Sequence, residues 1–308
     1  MKQAEAVPAD TATPDAVRST WVDALPAAFK PYARLARFDR PIGSWLLFWP
    51  CLWGLALGGG LVSHWWLVPL FGLGAVTMRA AGCVYNDIVD RDLDARVART
   101  RDRPIASGAV SVRAGWIWLV LLAACALPVL LALRPLAVGV AFASLILVAG
   151  YPFMKRITWW PQAWLGLTFN WGALVGWSAV EQPSLAMLLL YAAGVFWTLG
   201  YDTIYALQDL EDDALAGIKS SARALGVRAR VGVAVFYVVT LALGAAALWL
   251  VRPDPLILLA LVPVGLHLGW QVASLRDHAP ALALRLFRAN TVTGLLMFAA
   301  CAVAGTLV

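Results

Sequence analysis

Eight of the chain's 18 acidic residues fall in two short runs, Asn86-Asp87-Ile88-Val89-Asp90-Arg91-Asp92-Leu93-Asp94 and Asp209-Leu210-Glu211-Asp212-Asp213. Each run sits where an apolar stretch ends. Asn86, Asp90 and Asp94 are four residues apart, so on a helix they occupy one face along successive turns, with Asp87 beside them. Asp209 and Asp213 repeat the spacing, and Tyr201 and Tyr205 extend that stripe back into the apolar segment. Acidic groups cost about 2.5 to 3.5 kcal/mol each at the centre of a membrane helix, so two such clusters beside a membrane need a use. Holding divalent cations is one. Mg²⁺ prefers oxygen ligands and is often bound by a few carboxylates together with the phosphate oxygens of a substrate. The bland alternative is that the acids pair with Arg91, Arg96, Arg99 and Lys219 on a solvated loop. Two clusters at helical spacing favour a metal and phosphate site.

Basic groups stand near the same positions. Arg99-Thr100-Arg101-Asp102-Arg103-Pro104 follows the first run, and another apolar segment ends in Tyr151-Pro152-Phe153-Met154-Lys155-Arg156. Arg and Lys beside Mg²⁺ neutralise a departing diphosphate, placing stabilisation where charge develops in the transition state.

The elements that must position these residues are membrane helices. The chain is 61% hydrophobic and 14% charged, with a mean hydropathy of +0.75. Crossing a bilayer takes about 20 apolar residues. Nine spans are predicted, near 42–60, 65–86, 114–132, 135–151, 161–180, 184–206, 230–251, 254–275 and 287–307, giving an all-α polytopic bundle around a central cavity. Residues 1–25 read as a flexible tail, and 26–308 as a single transmembrane domain of two related four-helix units plus a ninth helix. Lys and Arg set orientation. Six lie before the first span, six follow span 2, and two, four and three follow spans 4, 6 and 8; the opposite loops hold only Arg134 and Arg252, while Arg79 lies inside span 2. The N terminus and both acidic runs are therefore expected on the cytoplasmic side. The net charge of +6 is mostly this topology signal and requires no nucleic-acid partner, although it suits anionic membrane lipid.

The first 25 residues lack the apolar core of a secretory signal, and Glu5, Asp10 and Asp15 argue against a transit peptide, so a bacterial inner membrane is expected. Cys51, Cys83, Cys125 and Cys301 lie in apolar segments without C-x-x-C spacing and read as packing residues. Gly54/Gly58, Gly172/Gly176 and Gly265/Gly269 have the spacing that lets membrane helices approach closely.

Taken in order, the N-D-x-x-D-x-x-x-D run, Arg-Thr-x-x-Arg-Pro ending at Pro104, Tyr-Pro-x-x-Lys-Arg from Tyr151 and D-x-x-x-D at Asp209 to Asp213 resemble the UbiA-type membrane prenyltransferases, over nearly the whole chain after the tail. Tyr201-Asp202-Thr203-Ile204-Tyr205-Ala206, Gly217-Ile218-Lys219-Ser220-Ser221-Ala222 and Arg37-Phe38-Asp39-Arg40-Pro41-Ile42-Gly43 are most similar to the branch acting on 4-hydroxybenzoate. The resemblance implies Mg²⁺-dependent transfer of a polyprenyl group from polyprenyl diphosphate to the ring carbon ortho to the hydroxyl of 4-hydroxybenzoate, a step of ubiquinone biosynthesis. It also implies that Asn86, Asp90, Asp94, Asp209 and Asp213 organise the metal and that Arg103, Tyr151 and Lys155 hold the diphosphate. Arg37 would contact the aromatic acid. Asn86, Asp90 and Asp209 are the expected catalytic residues, with Asp90 also orienting or deprotonating the phenol. The rival readings are a family member with another acceptor (naphthoate, homogentisate, haem or a tetrapyrrole) and a divalent-cation transporter, whose pathway would place acids at mid-membrane or on both sides.

Overall fold

The computed structural model describes residues 20–96, 100–210, 214, 217–275 and 279–306, apart from the side chain of Asp209. Asp213, the neighbouring Glu211 and Asp212, and the first 19 residues lie outside that set. Among the described residues the chain is helical, with no strand. The elements are α1 (Lys30–Leu35), α2 (Ile42–Leu57), α3 (Leu67–Asp94), α4 (Val112–Ala124), α5 (Leu127–Ala132), α6 (Pro135–Ile157), α7 (Pro161–Phe169), α8 (Trp171–Ser178), α9 (Leu185–Ala206), α10 (Ser221–Leu225), α11 (Ala229–Val251), α12 (Val262–Ser274) and α13 (Pro280–Thr306).

Seven segments among the described residues are long and apolar enough to cross a membrane. The expected count of nine is not reached on length and composition. The first expected span is α2, only 16 residues long, and the fifth is the pair α7 and α8, broken at Asn170. Asn170 is buried and donates through Nδ2 to Gly166 O at 2.9 Å and to Thr198 Oγ1 at 2.7 Å on α9. A side chain that competes for backbone and neighbouring acceptors favours such a break.

Local chemistry sets several boundaries. Ser111 and Ser184 accept from the amides of Ala114 and Met187, capping α4 and α9. Pro135 opens α6, where its missing N–H costs nothing. Lipid tails are as apolar as leucine, so close backbone packing and interhelical hydrogen bonds hold such a bundle together. The seam between α2 and α8 shows the first. A Cβ on Gly54 would strike the backbone of Ala173, and one on Gly176 would strike that of Cys51. The Gly54/Gly58 and Gly172/Gly176 pairs thus do what their spacing allows. Gly265 and Gly269 do not, having at most ordinary contact with Leu241. Around this core α6 turns apolar groups outward, Phe142 and Ile146 being 55% and 75% exposed, as a lipid-facing helix should.

The two ends of the bundle differ as the basic-residue count predicts. At one end lie the C-termini of α3 and α6, the segment before α2 and the chain after α9, where Lys219 Nζ donates to Ile157 O at 3.2 Å. At the other, Arg134 donates to the carbonyls of Ser178, Val180 and Glu181.

Candidate functional site

The first acidic run is helical through Asp94, the last residue of α3, which keeps Asn86, Asp90 and Asp94 on successive turns. Asp87, Asp90 and Asp94 are buried, and Asn86 is half-buried. Buried carboxylates need partners. Asp90 receives Lys155 Nζ at 2.5 Å on Oδ2 and Arg156 Nη2 at 2.8 Å on Oδ1. Arg103 Nη1 donates to Asp94 Oδ2 at 2.8 Å and to Asp87 Oδ1 at 3.2 Å. Arg37 Nη2 reaches both oxygens of Asp87, at 2.8 and 2.9 Å. Burial alone would lower the Arg103 pKa, but Asp87 and Asp94 more than offset it and raise it above the ordinary value.

The sequence therefore locates the cluster and misplaces part of its wiring. Asp87, expected only beside the stripe, and Arg156, expected only within the basic stretch, take direct parts, and Asp87 is the carboxylate shared by two guanidiniums. Arg37 is committed to Asp87. It sits at φ +57, a conformation costing a non-glycine residue about 1 to 2 kcal/mol. The local pattern explains the conformation: Phe38 N returns to Ala33 O at 3.0 Å, closing α1 in a Schellman-type turn with Arg37 where glycine is usual.

Tyr151 lies half-buried on α6, within electrostatic range of Asp90 on α3 and of Asp202 and Tyr205 on α9. Pro152, next to it, removes an amide inside α6. The nearby carbonyls of Leu147 and Ala149 accept from Trp164 Nε1 at 2.7 Å and the Tyr85 hydroxyl at 3.2 Å. Arg79, two turns before Asn86, donates to Arg37 O at 3.4 Å and lies against Gly43. It makes no ion pair with a carboxylate among the described residues, although Asp39 lies within electrostatic range.

The second acidic run begins as α9 tightens into a 3₁₀ turn over Leu207–Asp209. Its continuing stripe cannot be followed, because the Asp209 side chain and Asp213 lie outside the described residues. Behind it Tyr201 is buried against Trp197, with ring centroids 4.9 Å apart, and Tyr205 packs on Phe287 at 4.5 Å. Ser221, the first residue of α10, is anchored to α7 and α9: its amide donates to Gln162 Oε1 at 2.9 Å and its hydroxyl meets Thr203 Oγ1 at 2.7 Å.

The donor chemistry of Asn86, Asp90 and Asp94 suits Mg²⁺, being all oxygen and on one helix face. No group of three His, Cys, Asp or Glu is arranged to hold a metal among the described residues. Lys155, Arg156 and Arg103 donate to oxygens of Asp90 and Asp94. Beside them a pocket of about 440 Å³ is lined by Asp92, Arg96, Lys155, Arg156, Gly217 and Ile218.

Known proteins resemble the chain in sequence and in fold. The model of the UbiA prenyltransferase family matches residues 47–306. Mitochondrial 4-hydroxybenzoate polyprenyltransferases of Bos taurus and Homo sapiens are 46% and 45% identical over 284 residues, spanning 90% of this chain and 76% of theirs. Among solved structures, an apo UbiA homologue from Aeropyrum pernix K1 superposes with a TM-score of 0.69 at 25% identity, covering 84% of this chain and 97% of that one. A UbiA homologue from Archaeoglobus fulgidus bound to GPP and Mg²⁺ gives 0.67 at 20% identity, covering 90% and 100%. The relatives correct one expectation. They are named as mitochondrial proteins, in Aedes aegypti and Caenorhabditis elegans as well, which counts against the expected bacterial inner membrane. Acid content near one end was a poor discriminator, because it bears on an import signal and not on the membrane that the bundle occupies. By the match across residues 47–306 and these identities, the chain belongs to the UbiA prenyltransferase family.

Proposed function

We propose that this multi-pass membrane protein transfers a polyprenyl group from polyprenyl diphosphate to the ring carbon ortho to the hydroxyl of 4-hydroxybenzoate, in ubiquinone biosynthesis. The observation that carries the reading is the rim where Asp87, Asp90 and Asp94 meet Arg37, Arg103, Lys155 and Arg156. Three buried acids met by four partly exposed bases suit a substrate that brings its own anion and cation together. Relatives named for this reaction supply the acceptor.

Asn86, Asp90 and Asp94, with Asp209 and Asp213, would hold Mg²⁺. When bound, the metal supplies positive charge to the diphosphate. Lys155, Arg156 and Arg103 transfer their hydrogen bonds from carboxylates to phosphate oxygens, stabilising the leaving group as its charge grows. The Tyr151 hydroxyl, which donates to no described group, is placed to join them. Arg37 would reach the acceptor's carboxylate by the same exchange, releasing Asp87, whereas Arg79 makes no ion pair with a described carboxylate and could reach it without one. The apolar helices exclude water from the allylic cation and let the prenyl tail lie among lipid. Residues 26–308 act as a single domain in this reading.

The test is transfer of radiolabelled prenyl groups to 4-hydroxybenzoate in membranes carrying the protein, with and without EDTA, beside Asp90→Ala and Asp209→Ala. Product should form with Mg²⁺ and disappear with chelation and in both variants. Product insensitive to EDTA would overturn the metal assignment, and no product at any prenyl length would overturn the acceptor.

A further inference from the structure

Most helical glycines of this bundle are explained by what crowds them, and Gly82 is not. A Cβ added to Gly82, Gly139 or Gly269 would meet no atom within 4 Å beyond its chain neighbours and its own helix backbone. Gly139 on α6 and Gly269 on α12 are exposed, so the open space beside them belongs to lipid. Gly82 on α3 is half-buried, and its open space lies within the bundle. Glycine inside a helix is less stable than alanine. At Gly54 and Gly176 that cost secures the contact of α2 with α8. At Gly82 no neighbouring side chain or backbone requires it, which leaves room for something other than protein.

The position says what that is. Gly82 is three residues after Arg79 and four before Asn86, so the three share one face of α3. Along the axis it lies about 6 Å deeper than Asn86 and about 4.5 Å short of Arg79. Two contacts bound this face: the Tyr85 hydroxyl reaches Ala149 O on α6 at 3.2 Å, and Asp87 receives Arg37 at 2.8 Å. Cys83, next in the chain, has Arg79, Arg103 and Tyr151 within electrostatic range. The donors of the rim and the deeper arginine thus converge on one turn of α3. A small molecule whose carboxylate meets Arg79, and whose reactive carbon approaches a diphosphate beside Asn86 and Asp90, lies across Gly82.

We propose that Gly82 sets the size of the acceptor: the space left by its missing side chain is the seat of the aromatic ring, against the backbone of α3. The assignment rests on the acceptor reading above. A methyl group at this point crowds the ring, and a leucine side chain excludes it. The prenyl diphosphate, held nearer the rim, is unaffected by either. Gly82 acts by shape alone and takes no part in the chemistry.

The experiment measures kcat and KM for 4-hydroxybenzoate and for geranyl diphosphate, with Mg²⁺, in the parent protein, Gly82→Ala, Gly82→Leu and Gly139→Leu, beside thermal unfolding in detergent. One added methylene in a pocket is worth roughly 10 to 200-fold in kcat/KM, so Gly82→Ala should lose about tenfold on 4-hydroxybenzoate and Gly82→Leu about 10²-fold or more. In Gly82→Ala the loss should appear as a raised KM for 4-hydroxybenzoate, with the KM for geranyl diphosphate within about twofold of the parent. Its unfolding temperature should equal or exceed the parent's, since the new methyl meets no protein atom and alanine favours the helix. Gly139→Leu, which fills space on the lipid side, should match the parent on both substrates. A Gly82→Leu protein within about threefold of the parent on 4-hydroxybenzoate, equal losses on both substrates in Gly82→Ala, or a lowered unfolding temperature in Gly82→Ala would each overturn the assignment. A parent inactive on 4-hydroxybenzoate overturns the acceptor reading itself, a result distinguishable from an active parent whose Gly82 variants are unimpaired.

Discussion

At the ends of α3 and α6, polarity is ionic: three buried acids are held by four partly exposed bases in two groups, Arg37 and Arg103 on Asp87 and Asp94, and Lys155 and Arg156 on Asp90. Between α9, α11, α12 and α13 it is built from amide, hydroxyl and ring groups. Trp197 Nε1 donates to Asn290 Oδ1 at 2.8 Å, Asn290 Nδ2 to Gln271 Oε1 at 3.0 Å, and the Tyr237 hydroxyl to the same Gln271 oxygen at 2.9 Å. Gln271 Nε2 and His267 Nδ1 complete the set at Thr293 Oγ1, at 3.1 and 2.8 Å. The two regions face different tasks. Groups without net charge satisfy one another and pin four helices together at low desolvation cost. Ion pairs cost more to bury and are often no more stable than apolar replacements, so a cluster of them at one rim marks a place where charge must be received and released.

The comparison predicts that rim and core respond differently to the same kind of damage. The largest effect is expected at the rim. Asp90→Ala should lower kcat by at least about 10² to 10³-fold, the range for removing one group that acts on transition-state charge. It leaves Lys155 and Arg156 without their carboxylate, so assays of prenyl transfer should be paired with thermal unfolding in detergent to separate chemistry from folding. Next, Asn290→Leu should destabilise the protein by about 1 to 3 kcal/mol, because Trp197 Nε1 and the Gln271 amide lose partners in a dry core. Activity per folded molecule should be unchanged. If Asn290→Leu instead reduces turnover without changing unfolding, the division between the two regions is wrong.

How far this division was legible in the sequence depends on the range over which each signal acts. Helical spacing placed Asn86, Asp90 and Asp94 on one face, since a helix carries that information within eight residues. Lys and Arg counts sorted the two ends, since each loop carries its own charge. Pairing across elements was not legible. Arg37 and Asp87 are 50 residues apart, and Lys155 and Asp90 are 65 apart, and no local pattern says which acid a distant arginine will choose. The second polar core is illegible for the same reason: Asn290 is 19 residues from Gln271 and 93 from Trp197. Two signals were available and underused. Asp202 is an acid inside an apolar span, and Asn170 interrupts another. The glycine pairs show the limit of a motif, since Gly54 and Gly176 sit at a helix contact and Gly265 and Gly269, at the same spacing, do not.

The smallest predicted effect isolates what the rim spends to place one cation. Arg37 combines a left-handed backbone with two hydrogen bonds to Asp87. Arg37→Ala loses the hydrogen bonds and keeps the backbone strain, whereas Arg37→Gly loses the hydrogen bonds and relieves it. Asp87 retains Arg103 in both, at 3.2 Å, so its charge stays partly compensated. The glycine variant should therefore be more stable than the alanine variant by about 1 kcal/mol, the cost of a left-handed conformation for a residue with a Cβ, reduced somewhat by the greater freedom of glycine when unfolded. Paired thermal melts in detergent measure this difference directly. Equal stabilities would mean that the turn relaxes once the guanidinium is gone, and hence that Asp87 pulls Arg37 into its backbone conformation, not that the end of α1 imposes it.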